Sequence, residues 1–197
     1  MNRRLLITIA FSFAMAVKAH ADTNAINRRA AVRIEKPGLP NFHRISDRLY
    51  RSAQPTEEGL KELRRAGFKT VVNLRAFHTE SRPLSVLGIR QEHIFFKTWH
   101  PEEEDVVRFL KLVTATNTAP VLVHCQHGAD RTGTMIAIYR IAVEGWSKKD
   151  AIKEMTGEQF GFHKFWGNLL RFINDLDVEA VRKKAGITPA STGKASF

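Results

Sequence analysis

The segment around the single cysteine of this sequence has residue types and a spacing that suit a reactive site. Residues 121–133 read Val-Leu-Val-His-Cys-Gln-His-Gly-Ala-Asp-Arg-Thr-Gly, so an apolar run leads into a loop that holds Cys125 and Arg131. The backbone N–H groups of a loop between a strand and a helix can turn inward and bind an anion. A thiol inside that ring of donors ionises readily, and the planar fork of an arginine matches two phosphate oxygens. The pattern therefore predicts a thiolate nucleophile aimed at the phosphorus of a bound phosphate monoester.

The whole loop is expected to bind the phosphate. Gly128 would let the backbone curl where a side chain would clash or where φ is positive. His127 has two open readings, because its ring could contact the phosphate or the substrate, or simply face solvent. The predicted phosphate-binding residues are Gln126, His127, Gly128, Ala129, Asp130 and Arg131.

This loop resembles the signature of the cysteine-based protein tyrosine and dual-specificity phosphatases, in which His-Cys, five residues and Arg precede Ser or Thr. The signature positions are held by His124, Cys125, Arg131 and Thr132. The resemblance extends to residues 49–55, to residues 71–75 and to the helix that leads into Val121, so it covers about residues 44–146. The secreted bacterial members form the most similar subgroup. Rhodanese-type sulfurtransferases also place one cysteine in an anion-binding loop, but their loop is one residue shorter before the arginine.

The resemblance implies a role for each signature residue. Cys125 would form a phosphocysteine intermediate, and Arg131 would bind the phosphate and the transition state. Thr132 would assist departure of the thiolate, and His124 would orient the loop and help set the acidity of the thiol. The implied enzyme is a phosphomonoester hydrolase that needs no metal and no cofactor.

The general acid is where the sequence departs from the family. The family supplies an aspartate from a loop upstream of the cysteine, and the matching position falls near Thr98 or Trp99. We take Asp105 as the first candidate and Asp130 as the second, and the remaining candidates are His100 and residues 102–104. The acidic run around Asp105 could instead complement a helix N-terminus. Asp130 could instead form a salt-bridged support of the loop beside Arg131.

The elements that must position this loop follow from local patterns. Apolar and β-branched runs predict strands at residues 48–52, 69–74, 93–97 and 120–123, the last of them buried and central. Helix start signals stand at Thr56, Pro101, Thr132 and Ser147, and one or two more helices are expected over residues 164–184. Aromatic residues should pack these terminal helices on the sheet: Phe160, Phe162, Phe165, Trp166 and Phe172. The expected fold is α/β, a small central, largely parallel sheet flanked by helices, with a phosphatase-type P-loop between the last strand and a helix.

The N-terminus has the pattern of an export signal. A basic start and an apolar run over residues 5–17 precede Ala19-His20-Ala21, which suits cleavage before Asp22. A membrane anchor is the alternative, but the run is shorter than the roughly 20 residues a spanning helix needs. We therefore predict a cleaved signal peptide over residues 1–21, a leader over 22–43, a phosphatase domain over 44–186 and a flexible tail over 187–197. The expected location is the bacterial periplasm or the medium.

The net charge and the composition of the chain limit the kinds of partner that it is expected to bind. Loss of Arg3, Arg4 and Lys18 with the signal would leave 28 basic against 20 acidic residues, a net charge of +8 that favours anionic partners. The sequence contains no nucleic-acid-binding motif. A single cysteine excludes an internal disulfide framework, and the histidines lack metal-ligand spacing. We expect a monomer without a membrane span that acts on a phosphorylated protein or a small anionic phosphomonoester. Two alternatives stay open: an inositol or lipid phosphatase, and a phosphate-binding pseudophosphatase that has lost the acid.

Overall fold

A six-stranded mixed sheet forms the centre of the molecule. The computed structural model describes residues 29–77 and 84–188, and the six strands are counted within those ranges. The strands are β1 (Val32–Arg33), β2 (His43–Arg44), β3 (Leu49–Ser52), β4 (Thr70–Asn73), β5 (Arg90–His93) and β6 (Val121–His124). They are ordered β1-β2-β3-β6-β4-β5, with β3, β6, β4 and β5 parallel and β1 and β2 antiparallel. The prediction of a small, largely parallel sheet is confirmed.

Helices cover both faces of this sheet. They are α1 (Glu57–Arg65), α2 (Glu103–Thr114), α3 (Asp130–Ala142), α4 (Lys148–Met155), α5 (Gly167–Asp175) and α6 (Val178–Ala185), with short 3-10 helices at Leu84–Leu87 and Glu158–Phe160. Apolar side chains of α1 and of the first 3-10 helix share one core cluster with Val71 and Leu122. Side chains of α2 to α6 share the second cluster with Val121 and Val123. None of the described helices has the length and apolar content needed to cross a membrane.

Strand β6 fixes the start of the loop at Cys125 because it is a central strand of the sheet. It pairs with β3 on one side and β4 on the other, and all four of its residues are buried. Successive side chains of a strand point to opposite faces, so Leu122 enters one core cluster while Val121 and Val123 enter the other. The predicted buried central strand is confirmed, and it delivers Cys125 to the carboxyl edge of the sheet.

Helix starts mostly lie where the sequence indicates them. Thr56 accepts a hydrogen bond from the backbone N–H of Gly59 (3.3 Å), and Ser147 accepts one from the backbone N–H of Asp150 (3.0 Å), which satisfies free donors of the first turn. Helix α3 begins at Asp130, two residues before the expected start. The strand predicted over residues 93–97 is wrong, because β5 ends at His93, where its partner β4 also ends.

The folded unit begins inside the segment expected to be a leader. Residues 32–33 and 43–44 form an antiparallel pair, and Leu39 and Phe42 are buried in the core cluster beside α1. The turn at Gly38 brings this segment against the start of α1, where the backbone N–H of Thr56 donates to Gly38 O (3.0 Å). Polar composition concealed this packing. The predicted signal peptide and most of the predicted tail lie outside the described residues.

Candidate active site

The loop between β6 and α3 is held open by hydrogen bonds from outside. Its carbonyl oxygens accept from three remote donors: Gln126 O from Gln54 N (3.2 Å), His127 O from Asn41 Nδ2 (3.0 Å) and Gly128 O from Arg51 Nη2 (2.5 Å). The C=O and N–H groups of a trans peptide unit point in opposite directions. The amide N–H groups of His127, Gly128 and Ala129 therefore point to the other side of the loop. This arrangement is the one that an anion-binding nest requires, and phosphate binding by the loop stays a prediction.

Gly128 is required at the point where the loop meets strand β3. Its φ is +69°, a left-handed conformation that favours glycine. A Cβ atom at this position would lie 2.5 Å from the carbonyl oxygen of Ser52 and 2.6 Å from the backbone nitrogen of Ala53. Backbone atoms cannot yield to a contact that short, so both the dihedral angle and the close approach demand glycine.

Cys125 lies at the base of the loop and is 2% exposed. His124, the last residue of β6, is fully buried, with its ring Nδ1 3.2 Å from the carbonyl oxygen of Cys125. Thr132 is also fully buried, and its hydroxyl has no hydrogen-bond partner among the described residues. The N-terminus of α3 at Asp130 adds the positive end of a helix dipole at this loop. The base of the loop thus combines a buried cysteine with two fully buried neighbours in sequence and the N-terminus of a helix.

An open cavity of about 320 Å³ lies beside the loop, and Arg131 lines it together with Gln126. The rest of the wall comes from three other segments. Among the described residues the lining consists of Arg75, Ala76, Phe77, Thr98, Trp99, Gln126, Arg131 and Trp166. This cavity is where a substrate extending from the phosphate-binding loop can lie.

Arg51 of β3 lies beneath the loop and is fully buried. Its guanidinium carbon lies 4.1 Å from the centroid of the Phe160 ring, and Nη2 donates to Gly128 O. Burial lowers the pKa of Arg51 to about 10, an effect that the negative charges of Cys125 and Glu154 oppose. The group remains a cation at neutral pH. The sequence offered one signal for it, an arginine inside a strand-like run.

Asp130 supports the loop from the side of the 3-10 helix. The backbone N–H of His163 donates to its Oδ1 (2.9 Å), and the ring Nδ1 of His163 lies 2.8 Å from its Oδ2. Its side chain is largely buried by this contact. The support that sequence reasoning considered for Asp130 therefore has His163 as its partner, where Arg131 was expected.

The other acid candidates lie on or before the first turn of α2. Burial, with the negative charge of Glu102 added to it, raises the pKa of Asp105. Lys97 binds Glu102 (3.0 Å) and holds the pKa of that carboxyl below its usual range. Asp105 does not belong to the cavity lining in the described part of the chain, whereas Thr98, where the family aspartate was sought, does. The identity of the general acid stays a prediction.

Sequence reasoning missed several residues of the cavity. Arg75 and Phe77 follow β4, and Trp166 precedes α5, so each comes from an element end that the fold brings to the edge with Cys125. The packing predicted for Phe165 is wrong, since this side chain is 74% exposed. Trp166 is partly buried and faces the cavity as well as the core. Polar and aromatic residues just after predicted strands were the sequence signal that could have indicated these cavity residues.

A buried cysteine at the carboxyl edge of a parallel sheet, with five residues between it and the arginine at the start of the next helix, is typical of cysteine-dependent phosphatases. The family described as "DSP-PTPase phosphatase fused to NAD+ Kinase" matches residues 34–167. The chain belongs to this family of dual-specificity-type phosphatases.

Proteins with phosphatase names are similar to this chain over most of its length. The dual specificity protein phosphatase TpbA of Pseudomonas aeruginosa is 31% identical over 185 residues, which cover 91% of this chain and 83% of TpbA. The crystal structure of TpbA has a TM-score of 0.70 at 30% identity and covers 80% of this chain and 96% of its own. The inositol diphosphatase DSP5 of Arabidopsis thaliana is 28% identical over 153 residues, 71% of each chain.

Proposed function

We propose that this protein is a periplasmic phosphatase of tyrosine-phosphorylated proteins that works through a phosphocysteine intermediate on Cys125. The observation that carries the proposal is the loop after Cys125, whose carbonyl oxygens are bound from outside so that the N–H groups of the same peptide units face the opposite side and can bind a phosphate. Donors fixed in advance for three phosphate oxygens stabilise charge without reorganisation during the reaction.

The reaction has two displacements at phosphorus. The Cys125 thiolate attacks, the S–P bond forms, and the P–O bond to the leaving group breaks while that oxygen takes up a proton. A water molecule then attacks the phosphocysteine, the S–P bond breaks, and orthophosphate leaves with the thiolate restored. Arg131 binds two equatorial oxygens throughout. The Thr132 hydroxyl stabilises the departing thiolate in the second step.

The rim of the cavity supports an aromatic leaving group. Phe77 and Trp99 are 69% and 57% exposed, and their rings are stacked with centroids 6.1 Å apart. Large exposed aromatic side chains are unusual outside binding surfaces, and they favour flat apolar rings. Arg75 and Arg131 supply the basic side chains of the described lining, fewer than a polyphosphorylated ring would engage. A cysteine-to-serine form of TpbA, 29% identical to this chain, has been crystallised in complex with pTyr.

The location follows from residues 1–21, which have the basic, apolar and small-residue regions of a secretory signal. Export would place the only cysteine of the chain in an oxidising compartment without an internal partner for a disulfide. Mass spectrometry of the periplasmic fraction should find a chain that starts at Asp22. An intact N-terminus on cytoplasmic protein would contradict this part of the proposal.

The test of activity compares three substrates with the purified mature protein: a phosphotyrosyl peptide, the matched phosphoseryl peptide and inositol hexakisphosphate. We expect the highest kcat/KM with phosphotyrosine, and an acid-stable phosphoenzyme after rapid quenching. Cys125→Ser should abolish turnover while phosphate binding persists, because Ser has neither the acidity nor a neighbouring base. Arg131→Lys should impair both functions.

Each alternative has its own result. A higher kcat/KM with inositol hexakisphosphate than with phosphotyrosine would favour an inositol phosphatase, the class to which the name of the relative DSP5 assigns that protein. Phosphate binding without turnover of any substrate would favour a pseudophosphatase. Near-parental turnover by the Cys125→Ser variant would refute the phosphocysteine mechanism itself.

A further inference from the structure

Arg51 is a buried cation, and no carboxylate in the described part of the chain is in direct contact with it. Its residue is fully buried, and among the described residues neither Nε nor Nη1 has a hydrogen-bond partner. The one hydrogen bond of the guanidinium joins Nη2 to the carbonyl oxygen of Gly128. A buried charge without a counter-charge is costly, and buried donors without acceptors add to that cost. The Phe160 ring, 4.1 Å from the guanidinium carbon, supplies a cation–π contact, but it offers no acceptor for Nε and Nη1 and no negative charge.

A second buried arginine, Arg140, shows how a buried guanidinium is ordinarily paired. Arg140 binds Glu154 through Nε and Nη2 (both 2.9 Å) and binds Glu144 through Nη1 (2.6 Å). The carboxylate of Glu154 is thereby committed to Arg140. The contrast shows that this fold can pair a buried guanidinium fully, and that it leaves the one beneath the catalytic loop unpaired.

The charged and titratable neighbours of Arg51 define what can complement it. Cys125 and Glu154 favour its charge, whereas Arg140 opposes it. The ring of His43 also lies near Arg51. Burial lowers the pKa of this histidine, so its ring is neutral at pH values above the ordinary histidine pKa. Of the two anions, Glu154 is bound elsewhere. The thiolate, and then the phosphoryl group that it receives, are the available counter-charges.

We propose that Arg51 is a second cation of the active site, a positioning residue that holds Gly128 from beneath and stabilises the anionic states of the loop. The thiolate of Cys125 and the bound phosphate would be held between Arg131 at the cavity and Arg51 below. The motif around Arg51, residues 49–55, thereby gains a function, because β3 places this side chain beside Val123 in register, two residues before the nucleophile. The proposal rests on the proposed phosphatase function.

The test uses alkylation of the thiol, which is unambiguous because Cys125 is the only cysteine. Iodoacetamide modification of the mature protein is followed against pH by mass spectrometry for the parent and for Arg51→Met, Arg51→Lys and Arg44→Met. A nearby opposite charge typically favours an ionised group by about 1–3 pH units. We expect the alkylation midpoint of Arg51→Met to rise by about 1 unit or more, and its affinity for inorganic phosphate to fall at least about tenfold. The alkylation midpoint of Arg51→Lys should stay close to the parental value, because lysine retains the positive charge although it lacks the planar guanidinium.

Arg44→Met is the matched control. Arg44 lies on the neighbouring strand β2, but its side chain is exposed and pairs only loosely with Asp47 (3.7 Å). This variant should keep the parental midpoint and phosphate affinity. If Arg51→Met folds with parental circular dichroism and also keeps both, or if Arg44→Met shifts them equally, the proposal is wrong.

A second measurement needs no substitution of Arg51. Burial protects its Nε–H from exchange, so its NMR resonance can be followed against pH in the parent and in Cys125→Ser. We expect a chemical-shift change at the alkylation midpoint in the parent and none in Cys125→Ser. A resonance that ignores thiol ionisation would refute the proposal even if Arg51→Met fails to fold. These outcomes leave turnover by the parent unaffected, whereas failure of the proposed function would appear as a parent without turnover or as turnover without Cys125.

Discussion

Both carboxylate oxygens of Asp130 are held by a single residue, His163. Oδ1 accepts the backbone N–H of His163 at 2.9 Å, and Oδ2 lies 2.8 Å from its ring Nδ1. The contact ties the first residue of α3 to the segment that follows the 3-10 helix at Glu158–Phe160. A carboxylate engaged on both oxygens supports the loop, and this bears directly on which group protonates the leaving oxygen.

Asp130→Ala should therefore act on the fold and on all substrates alike. Removal of the acceptor leaves the partly buried donors of His163 without their partner, and the loss of a typical hydrogen bond costs about 0.5–1.5 kcal/mol of unfolding free energy. Urea unfolding measures this loss, with the exposed Asp47→Ala as the control. The rates with aryl and alkyl phosphates should fall by one common factor. A loss confined to alkyl phosphates would instead identify Asp130 as the general acid.

Asp105→Asn should discriminate between leaving groups. Removal of a general acid costs typically ~10²–10⁴-fold where the leaving oxygen needs a proton, and little where it does not. Phosphoserine should therefore suffer far more than an aryl phosphate with a good leaving group. Burial and the charge of Glu102 raise the pKa of Asp105, so it keeps its proton to a higher pH than an ordinary aspartate. The basic limb of the pH–rate profile should accordingly flatten in the variant.

Glu58→Gln is the control for this experiment, because Glu58 is an exposed acid in the first turn of α1 and is not a candidate for the general acid. Its profile should match that of the parent. Equal rates with both substrates in Asp105→Asn would assign Asp105 to complementing the helix N-terminus. The acid would then be His100, one of residues 102–104, or solvent.

The raised pKa of Asp105 should also make the unfolding free energy depend on pH. The folded state binds this proton more tightly than the unfolded state, so the contribution of Asp105 is present at low pH and is lost as pH rises through the folded pKa. The unfolding free energy of the parent should thus fall more than that of Asp105→Asn between the ordinary aspartate pKa and the raised one. Urea unfolding at a series of pH values measures the difference. Parallel curves of unfolding free energy against pH for the parent and Asp105→Asn would contradict a raised pKa of Asp105.

Gly128→Ala should abolish activity through geometry alone. Its Cβ would clash with the backbone of Ser52 at 2.5 Å, and the left-handed φ adds strain. Gly145→Ala is the matched control, because its φ is +70° but no atom lies within 4 Å of the added carbon. That control should lose about 1–2 kcal/mol of stability and keep its turnover. Phosphate binding, measured by calorimetry, should disappear only in Gly128→Ala, and its survival there would contradict the nest.

Trp99→Ala and Phe77→Ala should lower kcat/KM for phosphotyrosyl peptides. An aromatic contact is worth about 0.5–1.5 kcal/mol, which corresponds to roughly 2- to 10-fold. Phosphoserine, which lacks a ring, should show a smaller change. The control is Val86→Ala, an exposed apolar residue of the 3-10 helix at Leu84–Leu87 that is not part of the cavity lining. Equal losses with both substrates would show that the rim does not select aromatic groups.

Several features of this protein were predictable from the sequence because they depend on close neighbours. The hydrogen-bonded caps at Thr56 and Ser147 involve residues three positions away. The apolar run of β6 and the loop from Cys125 to Arg131 are likewise continuous in the chain. Each signal is local, so no knowledge of the packing was needed to place the nucleophile between the last strand and a helix.

Tertiary structure decided the surroundings of that loop. Gly128 meets Ser52, Asp130 meets His163, and Arg51 lies buried beneath the nest, each through contacts between distant parts of the chain. Strand pairing also drew residues 32–43 into the domain, although their composition is polar. Local sequence patterns specify how a segment folds, but not which segment packs against it. The free energy of a buried charge or a close backbone approach belongs to the assembled pair, so only the fold could reveal it.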